Sequence, residues 1–422
     1  MARPKAFFSL ILQVSALVNF LKKRVFSLTV LFFVVFSVML WLATNGQITS
    51  ITSDIDLYNH YAVNLMPSIS SDLSLSIESQ SSRIDYFIDS GWTPTPFYSL
   101  FVLSPVWLFG SQKLLWLEGT ALGIGLIFSA KRLLKIHFKE FSDWVISIIV
   151  LLFALNFNFL VDSIAVSTMS VAAFFVMFGL SSRSRLIRVI FLSCAAATRS
   201  NFLIALLPLF VWLPLCRPSG WRRFLFDCLP AILVSLIFYK NYYSTYPGGG
   251  LNYLLFASYQ GLDYAVPFSS YLIDKLYSID IQALDFGMTL SDALKLFTSW
   301  EAVAYVLNLS ALKLSVTLGL VHEKLFQSDY GFYVFKIWRT IYFSILGMPG
   351  FYAACALVLF ARKSINSLEL SLYLWVISYL IGNSLLIGDP RYLIGSNLFL
   401  IVALMRLVMM LQPNNYQKNI SS

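Results

Sequence analysis

Four short stretches of the chain combine acidic, basic and aromatic side chains that could carry out chemistry. The first holds Asp54, Asp56 and Tyr58. A helix through this stretch would place Asp54 and Tyr58 on one face and Asp56 on another, because residues four apart share a face. A carboxylate here can act as a general base toward a hydroxyl group, or it can cap the start of a surface helix. Both interpretations fit the spacing.

The second stretch is centred on Asp162, between the apolar runs 144–160 and 162–180. We expect this carboxylate at the turn between two membrane spans. An acid next to hydrocarbon is costly and usually has a partner or a function. Asp162 is therefore a candidate substrate-binding residue, and the alternative is again a helix cap.

The third and fourth stretches each hold an arginine at a predicted turn. Arg199 lies between the apolar runs 186–198 and 202–216, and Arg391 follows Pro390. Because proline suits the first position of a helix, Arg391 would lie near a helix N-terminus, where a cation is unfavourable unless an anion joins it. Guanidinium groups bind phosphate and carboxylate bidentately. The alternative for Arg199 is an interfacial side chain that reaches the lipid headgroups.

The composition indicates the class of protein that carries these residues. The chain has 422 residues, of which 58% are hydrophobic and 12% charged, and its mean hydropathy is +0.74. An ordinary soluble domain has about 25% charged and about 45–50% apolar residues. This excess of apolar side chains excludes a typical soluble enzyme, a disordered chain and a secreted disulfide scaffold. The sequence predicts an all-α polytopic membrane protein.

The apolar runs predict about ten to twelve membrane segments in a single transmembrane domain that covers residues 1–422. We expect 7–21 to be an interfacial helix and 97–111 to be re-entrant or interfacial, while 303–321 could be a span or a surface helix. The predicted spans are 27–46, 114–130, 144–160, 162–180, 186–198, 202–216, 224–240, 339–361, 369–388 and 393–411.

The charges between these runs predict which ends face outside. Blocks of lysine and arginine follow every second crossing, as in cytoplasmic loops. This pattern gives no support for a nucleic-acid partner. The first outer loop is then 47–96, which has six acidic residues against Arg83, and a larger outer segment is 241–300. The turns near Asp162, Arg199 and Asp389 are expected on the same outer side.

These stretches resemble the GT-C superfamily of integral membrane glycosyltransferases, which use lipid-linked sugar donors. The order and approximate spacing of the similar segments hold across nearly the whole chain. The segments are Asp54-x-x-x-Tyr58-x-x-x-Ala62, Thr95-Pro96-Phe97-Tyr98-Ser99-Leu100 through Leu108-Phe109-Gly110, Ala197-Thr198-Arg199-Ser200-Asn201 and Asp389-Pro390-Arg391-Tyr392. In the third segment Ser200 replaces the proline that the family has.

The resemblance implies a GT-C-like helix bundle with a catalytic loop on its outer face. The acid of the first loop would be the catalytic base, and Asp54 and Asp56 are both candidates because Ile55 separates them. Asp162 matches a second outer acid that binds the acceptor or a metal, so Asp54 and Asp162 could hold Mg²⁺ or Mn²⁺. The other implied substrate-binding residues are Tyr58, Arg199, Arg391 and Tyr392.

The resemblance also implies a reaction and a location. A sugar would move from a polyprenyl-phosphate-linked donor to a glycan, lipid or protein acceptor at the periplasmic or lumenal face, and we expect a multi-pass protein of a bacterial inner membrane. One alternative is a Wzy-like polysaccharide polymerase, in which arginines would dominate the chemistry. The other is a glycolipid transporter, which should work without Asp54. A chain of carboxylates within the spans, as expected for a proton-coupled transporter, is missing from the sequence.

Overall fold

The computed structural model describes residues 24–46, 97–102, 104, 112–199, 211–212, 215–216, 221–245, 298–318, 337–386 and 394–411. Every regular element in these ranges is helical, which confirms the all-α prediction for the described part of the chain. The helices are α1 (Arg24–Ala43), α2 (Gln112–His137), α3 (Asp143–Ala154), α4 (Phe157–Ile164), α5 (Thr168–Ser181), α6 (Arg185–Thr198), α7 (Trp221–Thr245), α8 (Trp300–Thr317), α9 (Ile337–Phe360), α10 (Ser367–Leu386) and α11 (Ile394–Leu411).

Three of the described helices are long and apolar enough to cross a membrane, namely α1, α2 from Lys113, and α9. The pair α3 and α4 would add a fourth if the two helices form one bent span. Apolar but shorter helical stretches occur in α5, α7, α10 and α11. These features are those of a membrane protein. The larger number of crossings expected from the apolar runs stays a prediction.

Most predicted boundaries in the described ranges agree with the helices to within a few residues. The runs 186–198, 369–388 and 393–411 correspond to α6, α10 and α11. The run 303–321 corresponds to α8, in which Lys313 is buried, with only 1% of its surface exposed. The start of the run 97–111 forms a single π-helical turn, Tyr98–Val102.

The predicted span 144–160 contains two helices with a sharp bend between them. The helix ends at Ala154, and the chain bends by 69° before α4 begins at Phe157. Asn156 causes the restart, because its Oδ1 atom accepts hydrogen bonds from the backbone N–H groups of Asn158 at 2.9 Å and Phe159 at 3.5 Å. Asparagine is among the strongest N-cap residues. Because Asn156 has apolar residues on both sides, the hydropathy of the sequence does not reveal this break between the helices.

Helices α5 and α6 pack side by side in opposite directions, and their termini define the two ends of the bundle. At one end Arg199, just after α6, contacts Thr168, the first residue of α5. At the other end Arg188 donates a hydrogen bond to the carbonyl of Ser182 at 3.1 Å. We call these the Asp162 end and the Asp227 end, after the acidic residue that lies at each.

Helix α1 runs antiparallel to α2 and finishes at the Asp162 end. Near its start, the ring of Phe26 lies 3.5 Å below Nζ of Lys131, in the second half of α2. Near its finish, Ser37 accepts a hydrogen bond from Nε1 of Trp116 at 3.0 Å, in the first half of α2. The described chain therefore leaves α1, through Gly46, at the Asp162 end.

Helices α10 and α11 follow the same pattern. Near the Asp227 end, Arg406 of α11 forms ion pairs with Glu140 at 2.5 Å and with Glu369 of α10 at 3.6 Å. Toward the opposite end, the side-chain amide of Asn397 donates to the hydroxyl of Tyr342 at 2.8 Å, and that hydroxyl donates to the carbonyl of Leu152 at 2.9 Å. Helix α10 therefore finishes, and α11 begins, at the Asp162 end.

Two ion pairs with one buried carboxylate, at the Asp227 end, hold α6 and α7 together. Asp227 of α7, whose side chain is only 3% exposed, accepts hydrogen bonds at 2.6 Å from both Arg185 and Arg188 of α6. Without both arginines the buried carboxylate would be an uncompensated charge, which is destabilising. Asp227 is therefore a structural acid that fixes α7 against α6.

Candidate functional site

The candidate site is built around a tight turn, Ala165–Val166–Ser167, that joins α4 to α5. The backbone carbonyl of Asp162 accepts hydrogen bonds at 2.8 Å from the N–H of Ser167 and from the hydroxyl of Ser170. The side chain of Ser167 caps α5 by accepting from the N–H of Ser170 at 3.2 Å. These bonds fix the end of α4 against the start of α5.

The turn holds Val166 in an unusual backbone conformation. Its φ angle is +53°, in the left-handed region that β-branched residues rarely adopt. Such conformations cost about 1–3 kcal/mol each and cluster at functional sites. The hydroxyl of Tyr98 donates a hydrogen bond to the carbonyl of Val166 at 2.5 Å, so the π-helical turn Tyr98–Val102 supports the turn between α4 and α5.

Asp162 itself lies inside α4 and not at the turn, which corrects the sequence prediction. The residue is buried, with 4% of its surface exposed. The capping alternative for its side chain is not supported at α5, because Ser167 is the N-cap there. The turn comes three residues later than predicted because α4 continues to Ile164 before the chain reverses.

Arg199 lies at the end of α6 and reaches the start of α5. Its backbone N–H donates to the carbonyl of Ala195, and its Nη1 atom donates to the hydroxyl of Thr168 at 2.9 Å. Thr168 is buried and is the first residue of α5. A guanidinium beside a helix N-terminus is unfavourable when no anion is bound. Together, the guanidinium and the helix N-terminus form a favourable binding site for an anion such as phosphate.

Two of the four stretches singled out in the sequence, together with the segment that holds Tyr98, therefore meet at one end of the bundle. Tyr98 and Asp162 contact the turn after α4, and Arg199 contacts the helix that follows this turn. The described ends that flank the other two stretches, Gly46 after α1 and Ile394 at the start of α11, lie at the same end. The remaining candidates, Asp54, Asp56, Tyr58, Arg391 and Tyr392, lie outside the described residues.

Within the described ranges, no group of three or more histidine, cysteine, aspartate or glutamate side chains could hold a metal ion. The proposed metal ligand Asp54 lies outside these ranges.

Several residues that build the site did not stand out in the sequence. Thr168 and Ser170 follow Ser167 in a Ser-Thr-x-Ser pattern, which is a recognisable N-cap signal. Gly119 of α2 gives no such signal, yet α2 packs so closely on α4 there that an added Cβ atom would lie 2.6 Å from the carbonyl carbon of Ile164. The conformation of Val166 also has no sequence signature.

Comparisons of this chain with protein-family models, with curated proteins and with solved structures find no match. Its function is therefore inferred from its own residues and their geometry.

Proposed function

We propose that the protein is a GT-C-type glycosyltransferase that moves a sugar from a polyprenyl-phosphate-linked donor to an acceptor at the Asp162 end of the bundle. In this proposal the whole chain is one transmembrane domain with about ten to twelve crossings. The Asp162 end faces the periplasm from a bacterial inner membrane. The acceptor is a glycan, a lipid or a protein.

The observation that carries the proposal is the convergence of acidic, basic and aromatic stretches at one end of the bundle. The described members, Tyr98, Asp162 and Arg199, lie in three separate segments of the sequence, and their local sequences do not require these segments to meet. A transfer reaction between a lipid-borne donor and a polar acceptor needs such a meeting at a membrane surface. Tyr98, Asp162 and Arg199 supply the described part of this arrangement.

The donor phosphate would bind between Arg199 and the first turn of α5. The guanidinium already lies 2.9 Å from the hydroxyl of Thr168, so an anion there would meet a full positive charge and the positive end of the α5 helix dipole together. Arg391 precedes Ile394, the first residue of α11, by three residues in the sequence. In this proposal it supplies the second guanidinium of the donor site.

The acceptor hydroxyl would lose its proton to a first-loop acid. Asp54 is eight residues beyond Gly46 in the sequence. The polyprenyl phosphate is a good leaving group, so the protein must mainly position and deprotonate the acceptor. The arginines would stabilise the charge that develops on the departing phosphate. If the enzyme uses Mg²⁺ or Mn²⁺, Asp54 and Asp162 would be its ligands.

We expect Arg391→Lys to lose most of its donor binding. A lysine ammonium keeps the charge but cannot form the bidentate contact that a guanidinium makes with phosphate. The measurement is thermal unfolding of the purified protein in lipid nanodiscs, with and without polyprenyl phosphate, which should stabilise the wild type and not the variant. Arg183→Lys is the matched control, because Arg183 is exposed at the Asp227 end. Equal stabilisation of wild type and Arg391→Lys would remove Arg391 from the donor site.

A further inference from the structure

The face of α4 that carries Asp162 also carries a second buried polar residue, Asn158. The two residues are four apart in an eight-residue helix and therefore share a face. Asn158 is 5% exposed. Its backbone N–H donates to the side chain of Asn156, but its side-chain nitrogen, Nδ2, has no hydrogen-bond partner among the described residues. The amide group therefore does not donate to Asp162 across the helical turn.

An unpartnered amide is an unfavourable choice at this position. Its neighbours in α4 pack as apolar side chains, with the ring of Phe157 6.3 Å from that of Trp338 and the ring of Phe159 5.6 Å from that of Phe33. A leucine of similar size would fill the same space without leaving a buried donor unsatisfied. The polar group at residue 158 is explained if a ligand supplies the missing acceptor.

The chemistry of the pair limits what that ligand can be. The amide nitrogen is a donor and the carboxylate of Asp162 is an acceptor, and a carboxylate has about four lone-pair positions, so its other contacts leave capacity for a further donor. A phosphate would be repelled by the carboxylate, and a metal ion held by Asp162 would still leave the N–H groups of Asn158 without an acceptor. A neutral group that both accepts and donates, such as a hydroxyl, suits both residues.

We propose that Asn158 and Asp162 bind two neighbouring hydroxyl groups of a sugar ring, one accepting from Asn158 and the other donating to Asp162. The inference rests on the proposed function for its choice of a sugar as the ligand. In this proposal the sugar binds at the face of α4 that carries Asn158 and Asp162, and the donor phosphate binds between Arg199 and the start of α5. Asn158 would then contribute to the choice of sugar, because a sugar without the matching hydroxyl would leave the amide unpartnered.

The test is the thermal unfolding of the wild type and of Asn158→Leu in nanodiscs, with methyl glycosides of glucose, galactose and mannose as probes. At least one glycoside should raise the unfolding temperature of the wild type. Asn158→Leu should unfold at a higher temperature than the wild type without sugar, because the unpaired amide is gone, and should gain nothing from the glycoside. The 2-deoxy form of an active glycoside tests one hydroxyl of the ring directly.

Ser235→Ala is the matched control, because Ser235 of α7 is also fully buried with an unpartnered hydroxyl. It should keep the full response to the glycoside. The inference is overturned if Asn158→Leu responds as the wild type does, or if no glycoside of the panel stabilises the wild type.

Polyprenyl phosphate, added to the same samples, separates this inference from the proposed function. Stabilisation by this lipid without any response to glycosides would overturn the role of Asn158 alone. A response to glycosides in a protein that leaves polyprenyl-phosphate sugars intact would overturn the transferase alone.

Discussion

Asp54→Asn is expected to lower the rate of sugar transfer by roughly 10²–10⁴-fold, which is the usual contribution of a general base. The amide has nearly the shape of the carboxylate but cannot take the proton from the acceptor hydroxyl. If Asp54 only capped a surface helix, the change would affect stability by about 1 kcal/mol or less and would leave turnover intact, since asparagine is also a good N-cap. The measurement is transfer of labelled sugar by purified variants with equal unfolding temperatures.

Asp56→Asn is the matched variant, because it removes an equal charge two residues away. It should keep most of the activity if the stretch is helical and Asp54 is the base. Normal turnover by Asp54→Asn together with an inactive Asp56→Asn would transfer the role to Asp56. Normal turnover by both variants would contradict a first-loop base.

Gly119→Ala is expected to destabilise the protein by about 1–3 kcal/mol, as overpacking of a buried contact does. A methyl group at this position would overlap the backbone carbonyl of Ile164, which cannot move away without displacing α4. Because the turn after Ile164 positions Asp162 and the start of α5, we also expect a loss of transfer of about 10²-fold, the effect of a small misplacement of reacting groups. Chemical denaturation and transfer assays on the same samples measure both quantities.

Gly382→Ala, in α10, is the control for this substitution. A Cβ atom there would meet no heavy atom within 4 Å among the described residues, so the variant should gain about 0.5–1 kcal/mol from the better helix propensity of alanine. Unchanged or increased stability of Gly119→Ala would show that α2 and α4 do not meet as closely as described.

The helical class and many helix boundaries could be predicted because they depend on local patterns. Apolar run length and the charges between runs locate α6, α10 and α11 within a few residues. The break at Asn156 could not be recognised from the apolar run, because a single cap inside hydrophobic sequence changes the chain direction without changing its hydropathy. Asp162 lies in the helix that this cap begins.

The sequence offers the residue types of the candidate site but not their contacts. An arginine at an apolar turn indicated an anion site, and the structure places Arg199 beside the first residue of α5. That partner, Thr168, depends on how two helices pack, which no local pattern determines. The same holds for Tyr98, whose bond to the carbonyl of Val166 joins segments 68 residues apart, and for the buried amide of Asn158.

The most direct test of the proposed function is to follow the donor itself. The wild-type protein in nanodiscs would be incubated with polyprenyl-phosphate glucose, mannose, galactose or arabinose, each carrying a labelled sugar, in the presence of a membrane extract as acceptor. The proposal predicts that the labelled sugar of at least one donor is transferred to the acceptor and that free polyprenyl phosphate is released. It also predicts that Asp54→Asn abolishes this transfer. If every donor keeps its sugar, while the protein in liposomes moves the intact lipid from one leaflet to the other, the protein is a transporter and the proposal is wrong.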